Sequence, residues 1–248
     1  MLSIFKYILT QKMEGDAIFL FRVFYYTFVL MKTKVLELFA GSRSIGKVCE
    51  ELNYKTFSSD INNFDKIDYV IDILKFDVSK VPFIPNIIWA SPPCTSFSVA
   101  SISKHWEKET LLPKTDAANL GLSIVKKTIE LIKYYRKINP NLVYYIENPR
   151  GMLRKMDIVQ NIPRTTVWYC RYGSKRAKPT DIWTNNLKSL MNTKGWQPRP
   201  GCFNGNKKCH HEAAPRGSRT GTQGLKGNYE RSKIPKELCI EILKLPIF

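Results

Sequence analysis

Three short stretches hold side chains whose types and spacing could do chemistry: "FAGSRSIG" (39–46), "SPPCTSFS" (91–98) and "ENPRG" (147–151). In the second, Cys94 follows Pro92 and Pro93, whose fixed φ angles stiffen the turn and project the thiol. Such a cysteine can be a buried small hydrophobe, a metal ligand or a nucleophile. The loop-like residues around it favour the nucleophile, and no Cys or His stands beside it at ligand spacing. In the third stretch, Glu147 closes an apolar run, where a carboxyl group can protonate or hydrogen-bond a heterocycle nitrogen, or pair with Arg150 or another base. In the first, glycines let a backbone approach a ligand closely, although a tight strand-to-helix turn wants glycine for steric reasons as well.

The elements around these stretches must place them together. "KVLELF" (34–39) reads as a strand running into the glycine-rich turn and a helix, and "YKTFSSDIN" reads as a second strand closing on Asp60. In nucleotide-binding α/β sheets a carboxylate at that position faces ribose hydroxyls. Further strands are expected at "DYVIDI" (68–73), "NIIWA" (86–90) and "LVYYIE" (142–147), and the spacing of Leu122, Val125, Ile129, Ile132 and Tyr135 predicts an amphipathic helix over 119–138. Alternating strands and helices imply a largely parallel α/β sheet with helices on both faces. All three stretches then follow strand carboxyl ends, where ligands collect in open sheets.

Composition narrows the partner. The 248 residues carry 39 Lys and Arg against 21 Asp and Glu, a net +18 that attracts polyanions. Ten Lys or Arg against two Glu fall between Asn186 and Pro235, in a segment without apolar period, so the charge is concentrated as on a binding surface. Six scattered cysteines do not resemble a disulfide framework and point to a reducing compartment. "AIFLFRVFYYTFVLM" (17–31) is too short to span a bilayer and is broken by Arg22 and Thr27; residues 1–31 are expected to be a dispensable extension, with no membrane partner.

These motifs resemble those of the cytosine-5 DNA methyltransferases, especially the compact phage and bacterial members. "LELFAGSRSIG" is similar to their first motif, "SPPCTSFS" to the nucleophile motif, "ENPRG" to the glutamate motif, "YGSKRAKPTDIWT" (172–184) to the basic motif and "GNYERSKIP" (227–235) to the last one, over about residues 33–245. The resemblance implies a Rossmann-like methyltransferase sheet that binds S-adenosylmethionine through Phe39, Gly41, Asp60, Ile61, Asp72, Ile73 and Pro92. It implies a cytosine flipped out of double-stranded DNA, with Cys94, Glu147 and Arg176 as catalytic residues. Ser98, Lys178, Arg216 and Arg219 would bind the DNA, and residues 97–116 would close over it. Arg43 stands where the family has a second glycine, Thr95 replaces a glutamine after the nucleophile, and Ser174 sits where the basic motif begins with glutamine.

The resemblance divides the chain into the extension (1–31), a cofactor-binding catalytic domain (32–185), a small basic target-recognition region (186–219) and a C-terminal motif with its helix (220–248). A monomer in the cytoplasm of a bacterium or phage-infected cell is expected, with a cognate restriction endonuclease as a partner that makes no direct contact. Methylation of transfer RNA with the same motifs, or DNA binding without turnover on the same scaffold, are the rival readings. "CFNGNKKCHHE" offers Cys202, Cys209, His210 and His211, but not at the spacing of a standard zinc finger. Adjacent histidines seldom share an ion and a basic DNA-facing loop accounts for the cluster equally, so no metal is expected; a zinc site at Cys202, Cys209 and His210 is the minor reading.

Overall fold

The strand residues that are apolar on both faces dictate a sheet covered on both sides. In the computed structural model, which describes residues 32–212 and 227–244, seven strands form that sheet: β1 (Lys34–Leu38), β2 (Lys55–Asp60), β3 (Tyr69–Val70), β4 (Ile87–Ala90), β5 (Val143–Pro149), β6 (Arg164–Trp168) and β7 (Pro179–Thr184). Their order is β3-β2-β1-β4-β5-β7-β6. The first five are mutually parallel, and β7 runs antiparallel to both β5 and β6. This is the expected Rossmann-like α/β architecture.

Alternation along each strand feeds two cores. Leu36, Ile88, Tyr144 and Ile146 face one side, where helix α3 (Asp116–Ile138) contributes Val125, Leu131, Ile132 and Tyr135; the shorter α1 (Ser44–Glu51) and α2 (Ile102–His105) precede it in the chain. Val35, Ile87, Trp89 and Tyr145 face the other side. There α1 and the C-terminal α6 (Lys236–Leu243) bury Ile45, Val48, Leu238 and Ile242; α4 (Asp157–Gln160) and α5 (Asn228–Ser232) are single turns between. The Thr115 hydroxyl caps α3 by accepting from Ala118 N–H (3.3 Å), which starts the helix three residues earlier than its apolar period.

Three expectations are adjusted. The "DYVIDI" strand shrinks to Tyr69–Val70, because Asp72 accepts from Leu74 N–H (3.0 Å) and turns the chain into a short 3-10 helix. Strands β6 and β7 are additions to the expected set: Asp181 interrupts the apolar pattern of β7, yet it is fully buried and paired with Arg154 and Arg164. Residues 97–115 are a folded excursion. Trp106, 1% exposed, stacks on Phe97 and donates through Nε1 to the Ser96 carbonyl (2.7 Å), and Lys114 N–H returns to His105 (2.8 Å). Residues 1–31 and 213–226 lie outside the described residues, as do the expectations placed on them.

Candidate active site

Because β1, β4 and β5 are parallel neighbours, their carboxyl ends, with Glu147 in the last residues of β5 and the loops beginning at Phe39 and Ser91, lie at one edge of the sheet. Hydrogen bonds then fix the loop at Ser91 to the end of β5 and the turn after it. Asn148 Nδ2 donates to the Pro92 carbonyl (2.9 Å), and Met152 N–H donates to the Phe97 carbonyl (2.7 Å). The Cys94 carbonyl accepts from Phe97 N–H (3.0 Å) and Ser98 N–H (2.9 Å), which closes the cysteine turn. A Cβ on Gly151 would lie 2.2 Å from the Phe97 oxygen, so glycine is required by close approach.

Cys94 is half-buried at the head of this turn, and its surroundings set its acidity. Burial pushes the thiol up from its ordinary value and Glu147 adds to that, while Lys178 and Arg231 oppose it. Glu147 is buried at the end of β5 and accepts at Oε1 from the Tyr169 hydroxyl (3.0 Å), with Lys178 Nζ 3.8 Å from the same oxygen. Lys178 lies 4.6 Å from the Tyr169 ring centroid and donates to the Arg231 carbonyl (3.3 Å). Burial, then the Glu147 charge, holds the Tyr169 hydroxyl far above its usual range, so it serves as a donor. The structure therefore brings Cys94, Glu147 and Lys178 together with Tyr169. No sequence signal marked Tyr169, because it opens the 3-10 turn that follows β6, a strand the apolar pattern did not reveal.

Arg176 is half-buried beside this group; its backbone N–H donates to Ser174 Oγ (3.1 Å). Its Nη1 is buried without a hydrogen-bond partner among the described residues, and burial lowers the guanidinium's affinity for its proton. An orphaned guanidinium N–H is expensive unless a ligand completes it. Ser98 lies on the cysteine turn, its hydroxyl 3.0 Å from that of Ser101. Arg216 and Arg219 lie outside the described residues.

On the β1 side, Phe39 and Gly41 both have left-handed backbones (φ 58° and 50°), and Gly41 N–H donates to Asp60 Oδ2 (2.9 Å). The other Asp60 oxygen accepts from Asn62 N–H (2.8 Å). The last motif closes over this loop: Ser42 N–H donates to Ser232 Oγ (3.3 Å), Ile234 N–H to Ser44 Oγ (3.0 Å). Ile61 is 65% exposed just past β2, whereas Ile73 is packed in the core; Asp72 caps its own turn, and Pro92 is buried behind Cys94. Glu37, unremarked in the sequence, accepts from Ile45 N–H (3.1 Å) and Gly46 N–H (2.9 Å), the opening amides of α1. Burial pushes its carboxyl up to about 7 despite those bonds and Arg43. A helix start that would otherwise attract phosphate is thus already occupied by an acid, which suits a nucleoside ligand without phosphates.

The Cys/His cluster is assembled differently from the minor zinc reading. Cys202, Cys209 and His211 gather around Cys170, which β6 delivers from another part of the chain, while His210 Nε2 donates instead to the Ser174 carbonyl (3.1 Å). His210 is therefore replaced as the candidate ligand by its neighbour.

A Rossmann-like α/β sheet with a cysteine, a glutamate and basic side chains on its carboxyl edge is the class that fold and site define. In agreement with the motif resemblance, the chain is similar to a protein named "Probable DNA (cytosine-5)-methyltransferase" of Frog virus 3 (isolate Goorha), with 27% identity over 230 residues that span 86% of this chain and 99% of the relative. No family model matches the chain. Among solved structures, the Entamoeba histolytica methyltransferase EhMeth aligns at 17% identity and a TM-score of 0.45, over 69% of this chain and 58% of that one. A Spodoptera frugiperda DNMT2 mutant aligns at 17% identity and a TM-score of 0.40, over 73% and 58%. The chain thus spans less than two thirds of these solved chains. No helix among the described residues is long and apolar enough to cross a membrane.

Proposed function

We propose that the chain is an S-adenosylmethionine-dependent DNA (cytosine-5)-methyltransferase. The observation that carries this reading is the tie between Asn148 and Pro92, which holds Cys94 and Glu147 at one edge beside Lys178. S-adenosylmethionine, when bound, supplies an electrophilic methyl group. Phe39, Gly41, Asp60, Ile61, Asp72, Ile73 and Pro92 would hold it; Glu37's occupation of the α1 amides supports a cofactor of this phosphate-free kind.

The protein's own groups then act on a cytosine flipped from the duplex, since carbon 5 is out of reach inside the stack. Cys94 adds as thiolate to carbon 6, and Glu147 hydrogen-bonds the ring nitrogen and exocyclic amine, which makes carbon 5 nucleophilic. Tyr169 and Lys178 fix the Glu147 carboxyl group at Oε1, and the unpartnered Arg176 Nη1 is available to a phosphate or base oxygen. Once carbon 5 carries the methyl group, removal of its proton by a base re-forms the double bond between carbons 5 and 6 and expels Cys94 as the thiolate.

The test incubates the protein and Cys94→Ala with mixed-sequence duplex DNA and labelled S-adenosylmethionine, then maps 5-methylcytosine by bisulfite sequencing. Methylation by the parent and only background from the variant is expected. Equal labelling of both would overturn the nucleophile assignment; labelling of transfer RNA but not of DNA would overturn the substrate.

A further inference from the structure

The chain holds a second constellation that methyl transfer does not use. Cys170 sits in the 3-10 turn Tyr169–Tyr172 that follows β6, while Cys202, Cys209 and His211 come from a loop more than thirty residues later. Their four ligand atoms all lie within 4.8 Å of one another, and Cys202 Sγ is 3.8 Å from His211 Nδ1. A tetrahedral zinc ion with Zn–S bonds of about 2.3 Å requires ligand atoms about 3.8 Å apart, so these side chains stand at or near the edges of such a tetrahedron.

We infer that Cys170, Cys202, Cys209 and His211 bind one structural zinc ion that fastens the loop Gly201–Glu212 to the end of β6. The loop's composition explains the need. Its large apolar side chain, Phe203, is 62% exposed, so the segment has little apolar surface to hold it in place. Its local bonds instead organise the ligands. Asn206 Nδ2 donates to Cys202 Sγ (3.5 Å), Cys209 N–H donates to the Asn206 carbonyl (3.0 Å), and Asn206 N–H donates to that of Phe203 (3.3 Å). An amide donor aimed at sulfur is the outer-shell partner that a thiolate ligand requires. His210, engaged with Ser174 and thus with the basic motif, does not compete with His211.

Three thiols and an imidazole whose ligand atoms all lie within 4.8 Å of one another form a closed donor set for one divalent ion. A divalent ion would displace the thiol protons and form three metal–thiolate bonds. Mixed sulfur and nitrogen ligation at a closed site suits zinc over calcium or magnesium, which take oxygen. The ion would set the distance between the basic loop and Tyr169, the immediate neighbour of Cys170 and the donor to Glu147.

The test measures metal in the full chain purified without a polyhistidine tag. About one equivalent of zinc is expected in the parent and in His210→Ala, and less than about a tenth in His211→Ala and Cys209→Ser. Stripped parent protein should take up cobalt(II) with thiolate charge-transfer and tetrahedral d–d bands. This readout keeps the proposal falsifiable should a variant misfold. Parent protein that neither carries zinc nor gives those bands would overturn the site. So would equal loss from His210→Ala and His211→Ala, or a disulfide joining two of the three cysteines in a non-reducing peptide map. None of these readouts requires methyl transfer, so failure here is distinguishable from failure of the proposed activity.

Discussion

Cys94 sits between charges that pull its thiol in opposite directions: Lys178 and Arg231 favour the thiolate, whereas burial and Glu147 oppose it, with burial the strongest influence. The two nearest levers can be pulled separately. Lys178→Met removes a cation that stabilises the thiolate, so the thiol pKa rises further and reactivity appears at higher pH. Glu147→Gln removes a negative charge, and the onset moves to lower pH. Iodoacetamide labelling of the Cys94 peptide, followed by mass spectrometry across a pH series, should show these opposite displacements; displacement of both variants in one direction would refute the electrostatic coupling. In the proposed reaction Glu147→Gln should still cost about 10²–10⁴-fold in turnover, because an amide cannot transfer a proton to the ring nitrogen, even though the thiolate forms more readily. A thiol that labels faster in an enzyme that turns over more slowly would separate nucleophile activation from ring activation.

The cysteine turn is held by contacts with the strand beside it, so its geometry depends on the junction at Gly151. The φ of this glycine is −172°, which any residue can adopt; what excludes a side chain is the Phe97 carbonyl 2.2 Å from the position of a Cβ. Gly151→Ala should therefore cost about 1–3 kcal/mol in urea unfolding, and should lower activity at temperatures where the variant is fully folded, because the displaced carbonyl belongs to the Cys94 turn. Unchanged activity in the folded variant would show that the turn is positioned by the Asn148 tie alone. This junction was not legible in the sequence, although the residues it joins were. Cys94 and Glu147 announced themselves through proline stiffening and a carboxylate closing an apolar run, and β1, β4 and β5 through their short apolar runs. Tyr169 and the β6–β7 pair did not, because their apolar faces are interrupted by residues such as Asp181, whose burial is tolerated only through Arg154 and Arg164, partners supplied by other elements. The Cys/His cluster was half visible: the crowding of Cys202, Cys209 and two histidines within ten residues was plain although their spacing argued against a zinc finger, and only the fold could supply Cys170 and choose between the adjacent histidines.

Over the whole molecule, the net charge of +18 makes electrostatic attraction the main force on any polyanion, yet the basic residues divide into those already engaged and those facing water. Arg199 is held by Glu237 and Glu241 on α6, and Arg154 by Asp181. Lys207 and Lys208 are exposed on the loop that the proposed metal would fix. For the proposed DNA substrate this predicts an affinity that falls steeply with salt, with a logarithmic slope of about −0.9 for each phosphate neutralised. The Lys207→Ala, Lys208→Ala double variant should reduce that slope by up to about 2 and weaken binding to unrelated duplexes by the same factor, since phosphate contacts carry no sequence information. Fluorescence anisotropy over a salt series checks both. A loss confined to duplexes containing the methylated sequence would instead make these lysines readers of base edges, and the short loop would then be the part of the protein that chooses its target.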